Sequence, residues 1–205
     1  MIAKQQKRNI FVFYTMKIPI AIFSLLFTMN VKAQPVNFGI KGGVNVYHLT
    51  SYGYQYPSLT GFNAGILARL HIKRTLTLQP EICYSSEGYK FIDRSIIIKN
   101  ILGYVNLSLL LQYLVAKGIM IEAGPQFGVL VNAKSKDNFG NTAGIKDDYT
   151  RNDFGGFVGL CYTHSLLRSG IDIRYYSGFT NLGKTYQNER SKGIQAGIFY
   201  LLKHR

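Results

Sequence analysis

The sequence predicts an all-β protein, folded as an eight-stranded antiparallel up-and-down transmembrane β-barrel. Five segments carry Gly-x-x-x-Gly within stretches that alternate apolar with small or polar residues. Residues four apart share one face of a strand, because side chains alternate with period 2. We therefore expect all ten of these glycines on the less apolar face, lining a lumen. They are Gly39, Gly43, Gly61, Gly65, Gly124, Gly128, Gly155, Gly159, Gly193 and Gly197.

The first 33 residues are predicted to be a signal peptide. Basic residues lead into the apolar stretch Ile18–Met29, which is too short to span a bilayer. Val31–Ala33 then has the small-x-small pattern of a cleavage site. Met16 is an alternative translation start, and an uncleaved N-terminal anchor is the alternative to a signal peptide. The mature chain, Gln34–Arg205, is predicted to be one barrel domain.

Eight segments of the mature chain are predicted strands, and most approach the roughly nine to eleven residues that a tilted strand needs to cross a bilayer. They are Val36–Tyr47, Leu59–Leu70, Thr75–Ser86, Ile101–Tyr113, Ile119–Val131, Phe154–His164, Ile171–Asn181 and Gly193–Leu202. The fourth is ambiguous, because its Leu109–Leu111 run is also typical of a helix.

The connections between these segments alternate in length. The short ones are His71–Arg74, Leu114–Gly118 and Ser165–Gly170, and the long ones are His48–Ser58, Glu87–Asn100, Asn132–Asp153 and Leu182–Lys192. Outer-membrane barrels have tight periplasmic turns and longer extracellular loops. The pattern therefore predicts four long extracellular loops and two periplasmic termini. The sheet must close, because lipid leaves no backbone polar group unpaired.

The sidedness of the barrel follows from the composition of its two faces. A soluble lipocalin-like barrel also alternates, but its outer face would be rich in Lys and Glu. Here the polar face is mostly Gly, Asn, Ser, Thr and Gln, and the other face is continuously apolar. A membrane barrel is therefore favoured over a soluble one. Pro80 and Pro125 fall on the apolar face, where we expect β-bulges, because proline removes a ladder donor.

Six charged residues share the glycine face. They are Lys41, Arg69, Glu81, Glu122, Asp172 and Arg174. An eight-stranded lumen is narrow and filled by side chains, and charges buried there must be paired. The balanced set predicts a salt-bridged lumen and not an open pore. Scattered polar residues without a network are the alternative.

Five tyrosines fall near predicted strand ends, where amphipathic rings suit the lipid–water interface. They are Tyr47, Tyr84, Tyr89, Tyr104 and Tyr162.

The two cysteines, Cys83 and Cys161, fall at different heights in the predicted topology. Their separation exceeds the roughly 7 Å that a disulfide permits between Cα atoms, so two free thiols facing the lumen are expected.

The chain is strongly basic. Its formal net charge of +14 falls to +9 without the leader, which holds five basic residues and no acidic one. For an exported protein this charge suits anionic surroundings, namely outer-membrane lipid and lipopolysaccharide. The mature region has no basic helix and no block of Lys or Arg, so nucleic acid is not an expected partner.

Five segments, taken in order, resemble one known family. They are Phe38–Asn45, Leu78–Ser85, Gly124–Leu130, Asp172–Leu182 and Ile194–Tyr200. They are similar to strands of the small outer-membrane β-barrel domain family often labelled "porin family protein", which includes PorT-like proteins and has an OmpA/OmpX-type barrel. The resemblance implies the outer membrane of a Gram-negative bacterium, no catalytic residues and no defined ligand. Ser108 and Gln112 depart from the family, where proline and a basic residue are common.

The sequence offers no catalytic, cofactor-binding or metal-binding constellation, so no enzymatic activity and no cofactor are expected. Asp147, Asp148 and Asp153 could hold Ca²⁺, but their spacing is not that of an EF-hand, and a solvated acidic loop is favoured. The preferred function is a structural or interaction barrel that meets an envelope or extracellular protein through its loops. A channel or a component of a secretion or transport assembly is the alternative. A lipid-modifying enzyme is disfavoured, because His48 is the only histidine predicted at the loop rim.

Overall fold

A computed structural model of the protein describes residues 36–93, 96–164, 166–184 and 189–203. The chain divides into Met1–Gln34 and Pro35–Arg205. The predicted signal peptide and the alternative start at Met16 lie outside the described residues, so both remain predictions.

Ten strands and one 3₁₀ turn make up the described chain. The strands are β1 (Val36–Ser51), β2 (Tyr54–Gln55), β3 (Leu59–Lys73), β4 (Leu76–Asp93), β5 (Ile96–Ala116), β6 (Ile119–Lys136), β7 (Thr142–Gly144), β8 (Asn152–His164), β9 (Ser169–Gly178) and β10 (Arg190–Leu201), and the turn is Lys146–Asp148. The two shortest, β2 and β7, pair with β1 and β6 within the longer connections. The other eight form the wall.

The wall is a closed ring. Each of the eight strands pairs antiparallel with its neighbours in sequence, and β10 returns to pair with β1 from Gly39↔Leu201 to Thr50↔Arg190. The ring therefore leaves no free sheet edge along the wall, which is the condition for crossing lipid. The eight-stranded up-and-down barrel predicted from the sequence is confirmed.

The strands extend further than predicted at the end of the barrel that carries the longer connections, here called the long-loop end. β4 and β5 stay paired as far as Asp93↔Ile96. The predicted loop Glu87–Asn100 was therefore wrong, because residues 87–93 belong to β4 and residues 96–100 belong to β5. Beyond the bilayer a strand no longer needs an apolar outer face, so the alternation that marked the strand in the sequence stops before the strand does.

The ambiguous fourth segment is a strand, and it forms the middle of β5. Leu110 points into the lumen and is fully buried, while Leu109 and Leu111 point outward.

The prediction of β-bulges at the two prolines was wrong, because the pairing register is the same on both sides of Pro80 and of Pro125. Both prolines are accommodated without an inserted residue.

The tyrosine prediction was only partly right. Tyr84 and Tyr162 point outward and are exposed, whereas Tyr47 and Tyr104 are buried in the lumen. Tyr89 donates or accepts a hydrogen bond with Tyr149 over the long-loop end. Tyr47 points into the lumen because it lies two residues after Asn45, which also points inward. Alternation along the strand, and not distance from the strand end, therefore decides which side of the wall this tyrosine faces.

An apolar belt surrounds the wall. Exposed outward side chains from all eight strands include Ile40, Phe62, Ile82, Leu107, Ile121, Val158, Ile173 and Ile198. Such a continuous exposed apolar surface is far larger than soluble monomers carry. Within the described ranges, no helix has the length and hydropathy needed to cross a membrane.

Candidate functional site

Arg174 lies at the centre of the lumen and binds two carboxylates from other strands. Its Nη1 and Nη2 donate to Glu81 at 2.8 and 2.9 Å, and its Nε donates to Glu122. Only arginine has a planar guanidinium whose forked N–H groups can donate to two carboxylates in this way. One side chain from β9 therefore ties together β4 and β6.

Lys41 extends the network to β1. Its Nζ lies 3.3 Å from Glu81 and 3.3 Å from Asp172, and Asp172 is also 3.4 Å from Arg174. We call the set Lys41, Glu81, Glu122, Asp172 and Arg174 the ion layer. All five residues are buried, so their charges are withdrawn from water and must be compensated by one another.

Arg69, the sixth predicted charge, reaches the ion layer through a relay. Its Nε donates to Gln79, and Gln79 in turn donates to Glu81 at 2.6 Å. Arg69 also donates to Thr163 at 2.8 Å and lies over the ring of Phe199. The structure thus joins three cations to three carboxylates. Sequence reasoning missed Gln79, although its parity with Glu81 places it on the same face.

All ten predicted lumen glycines lie on the inward face. Several of them leave room for the ion layer. A Cβ at Gly159 would lie 2.9 Å from Cγ of Arg174, and one at Gly197 would lie 3.2 Å from the carboxylate of Asp172. A Cβ at Gly193 would lie 2.7 Å from the ring of Tyr47. The glycines therefore give large inward side chains the space that a narrow lumen otherwise lacks.

Three apolar clusters lie above and below the ion layer. Towards the short-turn end lies the lower cluster, made of Leu67, Met120, Cys161 and Phe199. Next to the ion layer on the other side lies the middle cluster, made of Tyr47, Leu110, Phe157 and Tyr176. At the long-loop end lies the cap, made of Leu49, Leu102, Tyr104, Leu130, Ala133, Tyr149 and Leu182. The lumen is therefore filled along its length by alternating polar and apolar layers.

Two of the longer connections contribute to the cap. Tyr149 forms a β-bridge with Gly183, and Thr150 N–H donates to Leu182 at 2.7 Å. The Tyr89 and Tyr149 hydroxyls are 2.7 Å apart. Burial, followed by the neighbouring Tyr89, raises the pKa of the Tyr149 hydroxyl well above its ordinary value, so it stays protonated and able to donate. The connections close over the lumen.

Both cysteines are free, as predicted. Cys161 is buried, and Nη2 of Arg69 lies 3.3 Å from its Sγ.

Asp147 and Asp148 are exposed in the 3₁₀ turn, whereas Asp153 is buried in the lumen, so these three aspartates do not share one loop surface. No cluster of three or more metal-ligating side chains occurs in the part of the chain that the structure describes.

Comparisons with known proteins agree with this architecture. Residues 30–184 match the family described as outer membrane protein beta-barrel domain. Neisserial surface protein A (NspA) is similar in structure, with a TM-score of 0.59 and 15% identity over 82% of this chain and 100% of that one. No curated protein is significantly similar to this chain in sequence.

A second structural neighbour is Ail, the attachment invasion locus protein of Yersinia pestis. Its TM-score is 0.51 with 14% identity, again over 82% of this chain and 100% of that one. In complex with the heparin analogue sucrose octasulfate, Ail gives a TM-score of 0.50. At these identities the likeness shows the fold, whereas the family match covers most of the chain. The chain belongs to the outer membrane protein beta-barrel domain family and lies in the outer membrane of a Gram-negative bacterium.

Proposed function

We propose that this protein is a structural and interaction barrel that does not conduct solutes and acts through its extracellular surface. The filled lumen carries the proposal. The ion layer crosses it with charges that are paired to one another, and the lower cluster, the middle cluster and the cap fill it above and below. An eight-stranded barrel has room for side chains but for no aqueous channel beside them. Periplasmic turns are the short ones in this class, so the long-loop end is the extracellular end.

Planar-bilayer recordings are expected to show no steady conductance from the purified, refolded protein. The reason is that an ion would have to replace the paired charges of Arg174 and Glu81 inside a water-poor layer. A general porin inserted into the same bilayer is the positive control. Steady, large conductance steps would support the alternative function, a channel or a component of a transport assembly.

A row of lysines marks the extracellular part of the wall. Lys90 lies directly opposite Lys99, and Lys99 directly opposite Lys136. Like charges facing each other across strands destabilise a sheet. Lys134 shares the outward face of Lys136, and we call the four residues the lysine ladder. Among the described side chains, none of the four forms an ion pair.

The position of the lysine ladder favours lipopolysaccharide as its partner. The four side chains point away from the barrel at the long-loop end of the wall, several residues beyond the outward-facing Tyr84 of β4 and Val105 of β5. The phosphate groups of outer-leaflet glycolipid are anions that outward-pointing lysines at this end would meet. Ail was solved with a soluble polyanion, the heparin analogue sucrose octasulfate. For this chain, the outward direction of the lysines favours an anionic glycan attached to lipid over a soluble one.

Changing all four ladder lysines to glutamine is expected to weaken binding to lipopolysaccharide micelles by tenfold or more. Each Lys near an anionic surface contributes about 1 kcal/mol, and the remaining binding should lose most of its salt dependence. Isothermal titration at two salt concentrations measures both effects.

The matched control neutralises four exposed basic residues at the opposite, periplasmic end, namely Lys73, Arg74, Lys117 and Lys203. It removes the same charge and should leave the affinity nearly unchanged. Equal losses in the two variants would mean that overall charge, and not the ladder, governs binding. Binding of sucrose octasulfate without binding of lipopolysaccharide would identify a soluble sulfated glycan as the partner.

A further inference from the structure

Two carboxylates are buried in the upper lumen, between the middle cluster and the cap. Glu87 on β4 and Asp153 on β8 are each only 3% exposed. Asn106 Nδ2 donates to Glu87 at 3.2 Å, and the Tyr176 hydroxyl donates to Asp153 at 2.7 Å. Asn106 lies opposite Gly128, and Gly128 lies opposite Asp153, so the two carboxylates occupy one polar pocket at the same level of the lumen.

This pocket differs from the ion layer in its charge balance. The ion layer and its relay join three cations to three carboxylates, whereas neither Glu87 nor Asp153 pairs with a cation among the described residues. Neutral hydrogen-bond donors such as Asn106 and Tyr176 offset only part of the cost of burying an ionised carboxylate. The two carboxylates must therefore either carry protons or be balanced by a cation that comes from outside the chain.

Three buried oxygen atoms around the pocket also lack hydrogen-bond partners in the described structure. They are Asp153 Oδ1, the Tyr104 hydroxyl and Asn45 Oδ1. Tyr104 is 1% exposed and lies opposite Ser85, which is two residues before Glu87 on the same face of β4. Asn45 joins the pocket through Ser85, to which its amide donates at 2.8 Å. Unpaired buried polar atoms are rare and need an explanation, of which a bound ion is one.

We propose that this upper-lumen pocket binds one small divalent cation of the Ca²⁺ or Mg²⁺ class. Two carboxylates balance a charge of two, and the remaining donors are a phenol oxygen and an amide oxygen. Oxygen donors of this kind suit hard cations, whereas zinc and copper favour nitrogen and sulfur. Because the cap closes the pocket from the extracellular side, the cation stabilises the fold and exchanges slowly. The site is independent of the proposed function, since a closed lumen does not conduct whether or not the cation is bound.

Terbium luminescence provides a direct test with a defined probe. Tb³⁺ replaces Ca²⁺ at oxygen sites, and its emission is sensitised by nearby tyrosine. The chain contains no tryptophan, so the signal would come from tyrosines such as Tyr104. Protein refolded in EDTA and then incubated with Tb³⁺ is expected to give saturable emission that excess Ca²⁺ displaces.

The variant Glu87→Gln with Asp153→Asn keeps the shape of both side chains and is expected to lose the emission. The matched control, Asp147→Asn with Asp148→Asn, removes two exposed carboxylates and should retain it. Ca²⁺ should also raise the melting midpoint of the wild-type barrel relative to EDTA, with no such shift in the Glu87/Asp153 variant.

Two results would overturn the proposal. Equal emission from the wild type and the Glu87/Asp153 variant would place the bound metal elsewhere. No emission and no Ca²⁺-dependent melting shift in the wild type would mean that the two carboxylates carry protons and that the pocket holds no cation.

Discussion

Replacing Arg174 with methionine is expected to lower the free energy of unfolding by about 3–5 kcal/mol, the usual cost of removing one partner from a buried ion pair. The loss would leave Glu81 and Asp172 with Lys41 as their cation, and it would remove the ion pair that Glu122 forms with Arg174. Methionine fills part of the vacated volume, so most of the decrease in the free energy of unfolding comes from the removed charge and not from a cavity. Urea unfolding in lipid vesicles, followed by the heat-dependent shift in gel mobility, measures the change.

Two further variants separate the ion layer from a general effect of lost charge. Arg190→Met removes an exposed arginine from β10 and should change the unfolding free energy by less than about 0.5 kcal/mol. Adding Glu81→Gln and Glu122→Gln to Arg174→Met should recover part of the loss, because fewer unpaired charges then remain in the lumen. An unchanged urea midpoint for Arg174→Met alone would show that the ion layer does not hold the barrel together.

Replacing Gly43 with alanine is expected to cost about 3 kcal/mol or more, an effect that only a few mechanisms produce in a single substitution. Gly43 lies directly opposite Gly197, where β1 meets β10. A Cβ at Gly43 would overlap the carbonyl oxygen of Ala196 and lie 2.7 Å from Cα of Gly197. These are backbone atoms, so relief requires the two strands to separate. The same gel-mobility assay would show a reduced folded fraction after refolding.

The adjacent glycine supplies a matched control. Gly42 points outward, and a Cβ there would meet only the carbonyl oxygen of Asn63, at 3.8 Å. Gly42→Ala should therefore fold as the wild type does. If both alanine variants fold equally well, the close approach of β1 and β10 does not depend on a missing side chain at Gly43.

The membrane-crossing part of the barrel was predictable from the sequence because two constraints act there on every strand. Lipid requires an apolar outer face and a narrow lumen requires small or paired inner residues, so parity alone placed Lys41, Glu81 and Arg174 on one side. Above the bilayer the first constraint ends. For that reason the upper parts of β4 and β5 were predicted as a loop, and Glu87 and Asp153 were assigned to connections.

Relations between strands were not predictable in the same way. The Arg69–Gln79–Glu81 relay depends on how far β3 and β4 are staggered, and a single sequence does not contain that offset. The burial of Tyr104 depends on the cap, which is assembled from Tyr149 and Leu182 in separate connections. Contacts of this kind follow from the closed ring and not from local alternation.

The pairing of β1 with β10 also has a kinetic consequence. Its residue pairs are separated by between 140 positions, for Thr50 and Arg190, and 162 positions, for Gly39 and Leu201. Contacts between such distant parts of a chain form slowly, because loop-closure entropy is lost before they form. A chain that ended before β10 would present two unpaired strand edges to lipid, which is prohibitive. Insertion into the membrane and completion of the ring should therefore be a single concerted event that waits for the twelve residues of β10.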